Sequence, residues 1–137
     1  MSEENIELMR TGYEAAARGD MAFVLGLMDP EVEVRDRPEA PDPATYRGHE
    51  GVIAAFTVSL DMFEDFTFAP ERYFEAGDHV VVVLVMTGRG KASGVPVEER
   101  IAHLWTIRDG RAVELQVYSD PDDALEAAGL PPEGAQR

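Results

Sequence analysis

The stretch Val80-Val-Val-Val-Leu-Val-Met86, together with Val97 to Ile107, the turn Arg108-Asp109-Gly110 and Val113 to Ser119 behind it, decides how this chain of 137 residues folds. Residues 80–86 are apolar without interruption and mostly β-branched, which suits a strand covered on both faces better than one with a wet side. Gly88, Gly90, Gly94 and Pro96 mark a break or a hairpin after it, and the Arg108-Asp109-Gly110 turn predicts a hairpin between the two segments that follow. Upstream, Ala76-Gly77-Asp78 turns the chain into the run from a segment opened by Phe66-Thr67-Phe68 and closed by Glu75. Downstream, Asp120 before Pro121, with Asp122 and Asp123, starts a short helix that carries Leu125 and Ala128 and ends at Gly129. The tail from Leu130 is expected on the surface.

The first half has a different period. Ile6, Met9, Tyr13, Ala16 and Ala17 recur at helical spacing, with Ser2 placed as a cap, Glu3 and Glu4 in the first turn and Gly19 as the stop. Asp20 can cap a second helix carrying Met21, Val24, Leu25 and Met28, which Asp29-Pro30 ends. From Glu31 the period falls to two, with Val32 and Val34 on one face and Asp36 following them before Arg37-Pro38. Residues 39–48, with Pro41, Pro43 and Gly48, have no period and predict a loop. Val52, Ile53, Phe56, Leu60 and Phe63 then form the stripe of a third helix. The layout α-α-β-α followed by a β-meander predicts an α+β architecture, with helices on one face of a curved antiparallel sheet. One domain over residues 1–137 is expected, with its core at about 2–129 and a tail at 130–137.

Twelve basic residues against 27 acidic ones leave a formal charge of −15. Such a surface repels phosphate backbones and anionic headgroups, so nucleic acid and membrane are not expected partners. The absence of cysteine removes disulfides and thiol nucleophiles. Neither a signal-like start nor a long apolar run is present, so a cytoplasmic location is expected. Gly88-Arg-Gly-Lys-Ala-Ser-Gly94 fits neither dinucleotide nor phosphate-loop spacing, and Ser59, Ser93 and Ser119 sit in no nucleophile elbow. His49, His79 and His103 lack paired-ligand spacing, so neither metal nor cofactor is expected.

Three polar residues stand out against apolar surroundings. Asp36 at a strand end suits a general base if it meets an apolar pocket, or a turn aspartate paired with Arg35 or Arg37. His103 shares a strand face with Ile101, Trp105 and Ile107, where its neutral form is favoured and it is either a proton shuttle or a satisfied core residue. Tyr13, on the buried stripe of helix one, could polarise a carbonyl or tie helix to sheet. Val34, Phe56 and Trp105 suit a pocket wall or core.

The order of elements and the phrases Tyr13-Glu-Ala-Ala-Ala-Arg-Gly-Asp20, Tyr46-Arg-Gly-His-Glu-Gly51 and His103-Leu-Trp-Thr-Ile-Arg-Asp-Gly110 resemble the SnoaL-like branch of the nuclear transport factor 2-like superfamily, over roughly the whole chain. The resemblance implies a cone-shaped half-barrel with helices on the concave sheet face around one apolar pocket. It also implies a homodimer through the outer face and a small apolar molecule as partner. Set against ketosteroid isomerases of that superfamily, Asp36 falls at the general base and Tyr13, with a one-residue shift, near the oxyanion tyrosine. His103 stands where those isomerases keep a protonated aspartate. The same comparison turns Glu114, Gln116, Tyr118 and Asp120 inward, placing Tyr118 and Asp120 at the pocket rim and freeing Val113, Leu115 and Val117 for a second subunit; Asp120 competes for the role of helix cap. The expected activity is cofactor-independent acid/base chemistry of isomerase, cyclase or dehydratase type on a mostly apolar carbonyl compound. The alternatives are a non-catalytic binding or interaction module, and an epoxide-hydrolase-like site in which a carboxylate activates water and an arginine such as Arg35 or Arg100 holds it.

Overall fold

The computed structural model describes residues 2–40 and 42–135, without the side chain of Ser2. The Ser2 cap and Pro41 therefore lie outside the described residues. The elements are α1 (Ser2–Ala17), α2 (Met21–Gly26), β1 (Met28–Arg35), β2 (Thr45–Arg47), α3 (Gly48–Met62), β3 (Phe63–Ala76), β4 (His79–Gly90), β5 (Pro96–Arg108), β6 (Arg111–Tyr118) and α4 (Pro121–Ala127), then a 3-10 turn at Glu133–Ala135.

Gly19, at φ 78°, takes the left-handed conformation that ends α1. The Asp20 side chain accepts the Phe23 N–H at 3.1 Å to start α2, as its position in the sequence predicts. α2 stops at Gly26 rather than reaching Met28, because Met28 already pairs with Ala112 of β6 and opens β1. Pro30 is tolerated in this strand because the register shifts between Met28 and Glu33, where no ladder bond needs its missing N–H. The loop expected over residues 39–48 contains β2, three residues that pair antiparallel with β1, too short to show a period.

The sheet runs β2-β1-β6-β5-β4-β3 and is unclosed. Every pairing is antiparallel except β1 with β6, so the expected all-antiparallel sheet carries one parallel joint. Asp109 and Gly110 both have positive φ, the geometry of the tight hairpin that their sequence predicts between β5 and β6. β4 is covered on both sides. Val80, Val82, Leu84 and Met86 face the main core under α1 to α3, while Val81 and Val83 join Ala102 and Leu104 in a second cluster closed by Ala124 and Leu125 of α4.

Two expectations about faces are corrected here. First, α4 packs on the outer sheet face, so only α1 to α3 occupy the concave side. The chain after α4 is fastened on the surface: Leu130 packs on the second cluster, and Glu133 pairs with Arg100 at 2.6 Å and with Arg72 at 3.0 Å. Second, β6 is turned the other way round. Leu115 lies between Val34 and Trp105 in adjacent strands, and this apolar row is what the helices bury. Tyr118 consequently packs beside α4, on the side opposite the helices. Asp120 serves as the cap of α4, accepting the Asp122 N–H at 3.0 Å. The outer face is thus no bare valine surface: α4 covers its apolar strip, and Arg35, Glu33, Arg47 and Glu114 form a charged network beside it.

α3 also differs from its expected stripe. Ile53 and Leu60 are 45% and 42% exposed, while Val52, Ala55, Phe56 and Ser59 face inward. The helix lies over a cavity, so its inner side need not be the most apolar one.

Candidate functional site

Between the helices and the concave sheet lies a cavity of about 270 Å³. α1 contributes Met9 and Tyr13, α3 contributes Ala55, Phe56 and Ser59, and the sheet contributes Val34, Phe68, His103, Trp105 and Val117. Of the residues singled out from sequence, Tyr13, Asp36, His103, Val34, Phe56 and Trp105 line it; Tyr118 and Asp120 do not. Four methionines that the sequence did not flag, Met9, Met21, Met28 and Met86, also line the wall, and such unbranched side chains fill irregular space adaptably.

His103 is 5% exposed, and burial, with the nearby Arg37 charge as a lesser cause, lowers its pKa to about 3. The ring is neutral at any ordinary pH. The Tyr13 hydroxyl lies 2.6 Å from Nδ1 of His103 and accepts the Trp105 Nε1–H at 2.8 Å. An indole N–H can only donate. With the ring proton on Nε2, the phenol donates to His103 Nδ1 and Nε2–H is left for the cavity. With the ring proton on Nδ1, the phenol oxygen accepts from both His103 and Trp105, and its own proton is left for the cavity that Tyr13 also lines. Either tautomer leaves this pair one donor without a protein acceptor among the described residues. Nε2 has no protein partner among the described residues, and none of their buried side-chain nitrogens or oxygens is unsatisfied. Nε2 consequently keeps surface, on the cavity that the ring lines. Burial also pushes the Tyr13 pKa up, so the phenol keeps its proton. Phe68 meets the imidazole edge-on at 5.4 Å between centroids and helps fix its plane.

Asp36 follows β1 directly. Arg35 is opposite Gln116 and Val117 opposite His103, so Asp36, Val117 and His103 form one row across three strands. Two strand spacings separate the Asp36 and His103 backbones by roughly 10 Å, leaving room for a ligand between their side chains. Among the described residues, no hydrogen bond joins the two. The Asp36 carboxylate accepts the Arg37 N–H at 2.9 Å, and its carbonyl accepts from Gln116 Nε2 at 2.7 Å.

Arg37, noted from sequence only as a neighbour of Asp36, also lines the cavity and pairs with Glu99 at 2.9 and 3.1 Å. Arg35 and Arg100, the cations offered for an epoxide-opening site, lie elsewhere. Arg35 joins Glu33 and Glu114, and Arg100 holds Glu71 and Glu133. No group of three or more potential metal ligands occurs among the described residues. Among them, too, no helix is long and apolar enough to cross a membrane.

A curved, unclosed sheet with three helices over one mostly apolar cavity defines an α+β cone. Within that class, the chain belongs to the SnoaL-like domain family, whose model matches residues 9–115. Solved structures share the whole fold. An NTF2-like protein of unknown function from Burkholderia pseudomallei is 26% identical over 92% of this chain and 97% of its own, with a TM-score of 0.76. TerC, co-crystallised with polyporic acid, is 25% identical over 92% of this chain and 98% of its own, with a TM-score of 0.74. A protein from Catenulispora acidiphila with a ketosteroid isomerase-like fold, in complex with trimethylamine, is 22% identical over 91% of this chain and 94% of its own, with a TM-score of 0.71. No curated protein sequence is matched by this chain.

Proposed function

We propose that this chain is a single-domain, cofactor-independent acid/base enzyme of isomerase, cyclase or dehydratase type, acting on a mostly apolar carbonyl compound held in the cavity. The observation that supports this reading is the hydrogen-bonded set Trp105, Tyr13 and His103 against the cavity; we take the ring proton to be on Nε2, so that the set ends in an Nε2–H donor for a ligand. A neutral imidazole of this kind polarises a carbonyl by donation and has no second proton to lose. Asp36, in the same row and on the same face, is the base. It removes a proton from the carbon beside the carbonyl, the enolate oxygen leans on Nε2–H, and Asp36 returns the proton to the new position. Tyr13 acts as a positioning residue, since its hydroxyl is already committed to Trp105 and His103. TerC, crystallised with polyporic acid, supports a small-molecule occupant for this cone. A homodimer built on what α4 leaves of the outer face belongs to the same reading.

The test needs no knowledge of the natural substrate. Methyl 2-naphthyl ketone is incubated with the protein in deuterated buffer, and exchange of its α-protons is followed by NMR. Exchange above the buffer rate is expected, reduced at least about 100-fold by Asp36→Asn, the usual scale of a lost general base. The infrared carbonyl band of the bound ketone should shift down in the wild type and in Asp36→Asn but not in His103→Phe. A ketone that binds without exchange would turn the reading to a non-catalytic binder.

A further inference from the structure

Arg37 is the one cationic side chain lining the cavity among the described residues, and its five N–H groups are unequally spent. Nη1 donates to Glu99 Oε2 at 2.9 Å and to Ser119 Oγ at 3.2 Å, and Nη2 donates to Glu99 Oε1 at 3.1 Å. The end of the guanidinium fork is thereby used. Nε–H and the second Nη2–H, which share the side edge of the planar group, have no partner among the described residues.

Arg100 shows what such an edge can hold. Its Nη1 and Nη2 bind Glu133 at 2.6 and 2.7 Å, while Nε binds a second carboxylate, Glu71, at 2.8 Å. Arg37 has the first of these carboxylates and lacks the second. It is also held in place: Ser119 Oγ, which accepts from Nη1, donates to Glu39 at 2.7 Å. The guanidinium is near enough to His103 to help keep that ring uncharged.

We propose that the Nε–H and Nη2–H edge of Arg37 is a carboxylate-binding subsite at the cavity, so that the natural ligand is an amphiphilic acid with its apolar body against the methionine and aromatic wall. This rests on the reading of the cavity as a small-molecule site and adds the charge and shape of one end of the ligand. Glu99 neutralises the guanidinium, so recognition depends on two parallel N–H donors more than on excess charge. A lysine, a point charge without a fork, cannot replace it.

Calorimetry with a matched pair of probes tests this. 2-Naphthoate carries the carboxylate, and methyl 2-naphthyl ketone has the same ring system without charge. Arg37→Met should weaken naphthoate at least tenfold and the ketone less than twofold. Arg37→Lys should weaken naphthoate several-fold, and Glu99→Gln should tighten it by removing a competing negative charge. Equal naphthoate affinity in the wild type and Arg37→Met overturns the subsite, as does parallel loss of both probes from folded Arg37→Met and Arg37→Lys proteins. A wild type that binds the ketone but not naphthoate overturns the subsite and leaves the carbonyl site standing. Failure of both probes to bind removes the cavity reading and the subsite with it.

Discussion

Tyr13 and His103 are 90 positions apart in the chain, yet a hydrogen bond joins their side chains. Either residue could be selected from its apolar surroundings; that one consumes the hydroxyl of the other could not, because it depends on how α1 crosses the sheet. Tyr13→Phe leaves the Trp105 N–H and His103 Nδ1 without their partner, and each unsatisfied buried group costs about 1–3 kcal/mol. Urea unfolding should show a loss of that order, and an unchanged midpoint would mean the relay contributes nothing. His103 makes a second prediction. Its folded pKa of about 3 lies below the unfolded value of about 6.5, so between these limits the unfolded chain binds the extra proton. Stability from this residue is complete above pH 6.5 and falls as pH drops toward 3, by at most about 1.4 kcal/mol per unit. Glu133, held low by Arg100, acts in the same direction only below the ordinary carboxylate range, which leaves pH 6 to 5 as the histidine's own window. Across that window His103→Gln should lose stability less steeply than the wild type, and equal slopes would contradict a buried neutral imidazole.

Elements with a strong local signal were legible: α1 with its glycine stop, the Asp20 cap, the unbroken run of β4 and the tight β5–β6 turn. Harder to see were β2, with three residues and no period, and the start of β1, where Met28 follows its long-range partner Ala112 rather than the preceding helical pattern. The facing of β6 was ambiguous because both of its sides carry residues that can be buried: Leu115 and Val117 went under the helices, and Tyr118 went under α4. The anchoring of α4 separates two kinds of contact. Leu125 is fully buried, and Leu125→Ala should cost about 2–5 kcal/mol in chemical unfolding through lost burial and the cavity left behind. Glu133 binds two arginines whose side chains are 41% and 43% exposed, and exposed pairs contribute about 0–1 kcal/mol. Glu133→Gln should therefore change global stability little while raising amide exchange in residues 130–135. A larger effect from Glu133→Gln than from Leu125→Ala would reverse this ranking of packing over charge.

At the scale of the whole molecule, composition spoke most plainly, because charge needs no fold to be counted. A surplus of fifteen negative charges on one small protein repels itself at low ionic strength, where screening reaches about 30 Å at 0.01 M salt. Opposing this are surface ion pairs, mostly exposed and each of small worth. The repulsion is summed over many long distances and the attractions over few short ones, so adding salt removes more of the first than of the second. The melting temperature should rise between about 20 mM and 0.5 M sodium chloride, by about 3–5 °C for each 1 kcal/mol of repulsion relieved in a domain of this size. Chloride is the suitable anion, since sulfate would strengthen apolar burial and confuse the cause. A flat or falling melting temperature would show that the local pairs outweigh the net charge. The same screening bears on the ligand. An acid bound by Arg37 must first approach a surface of its own sign, so its association should speed up as salt rises while that of a neutral ketone stays constant.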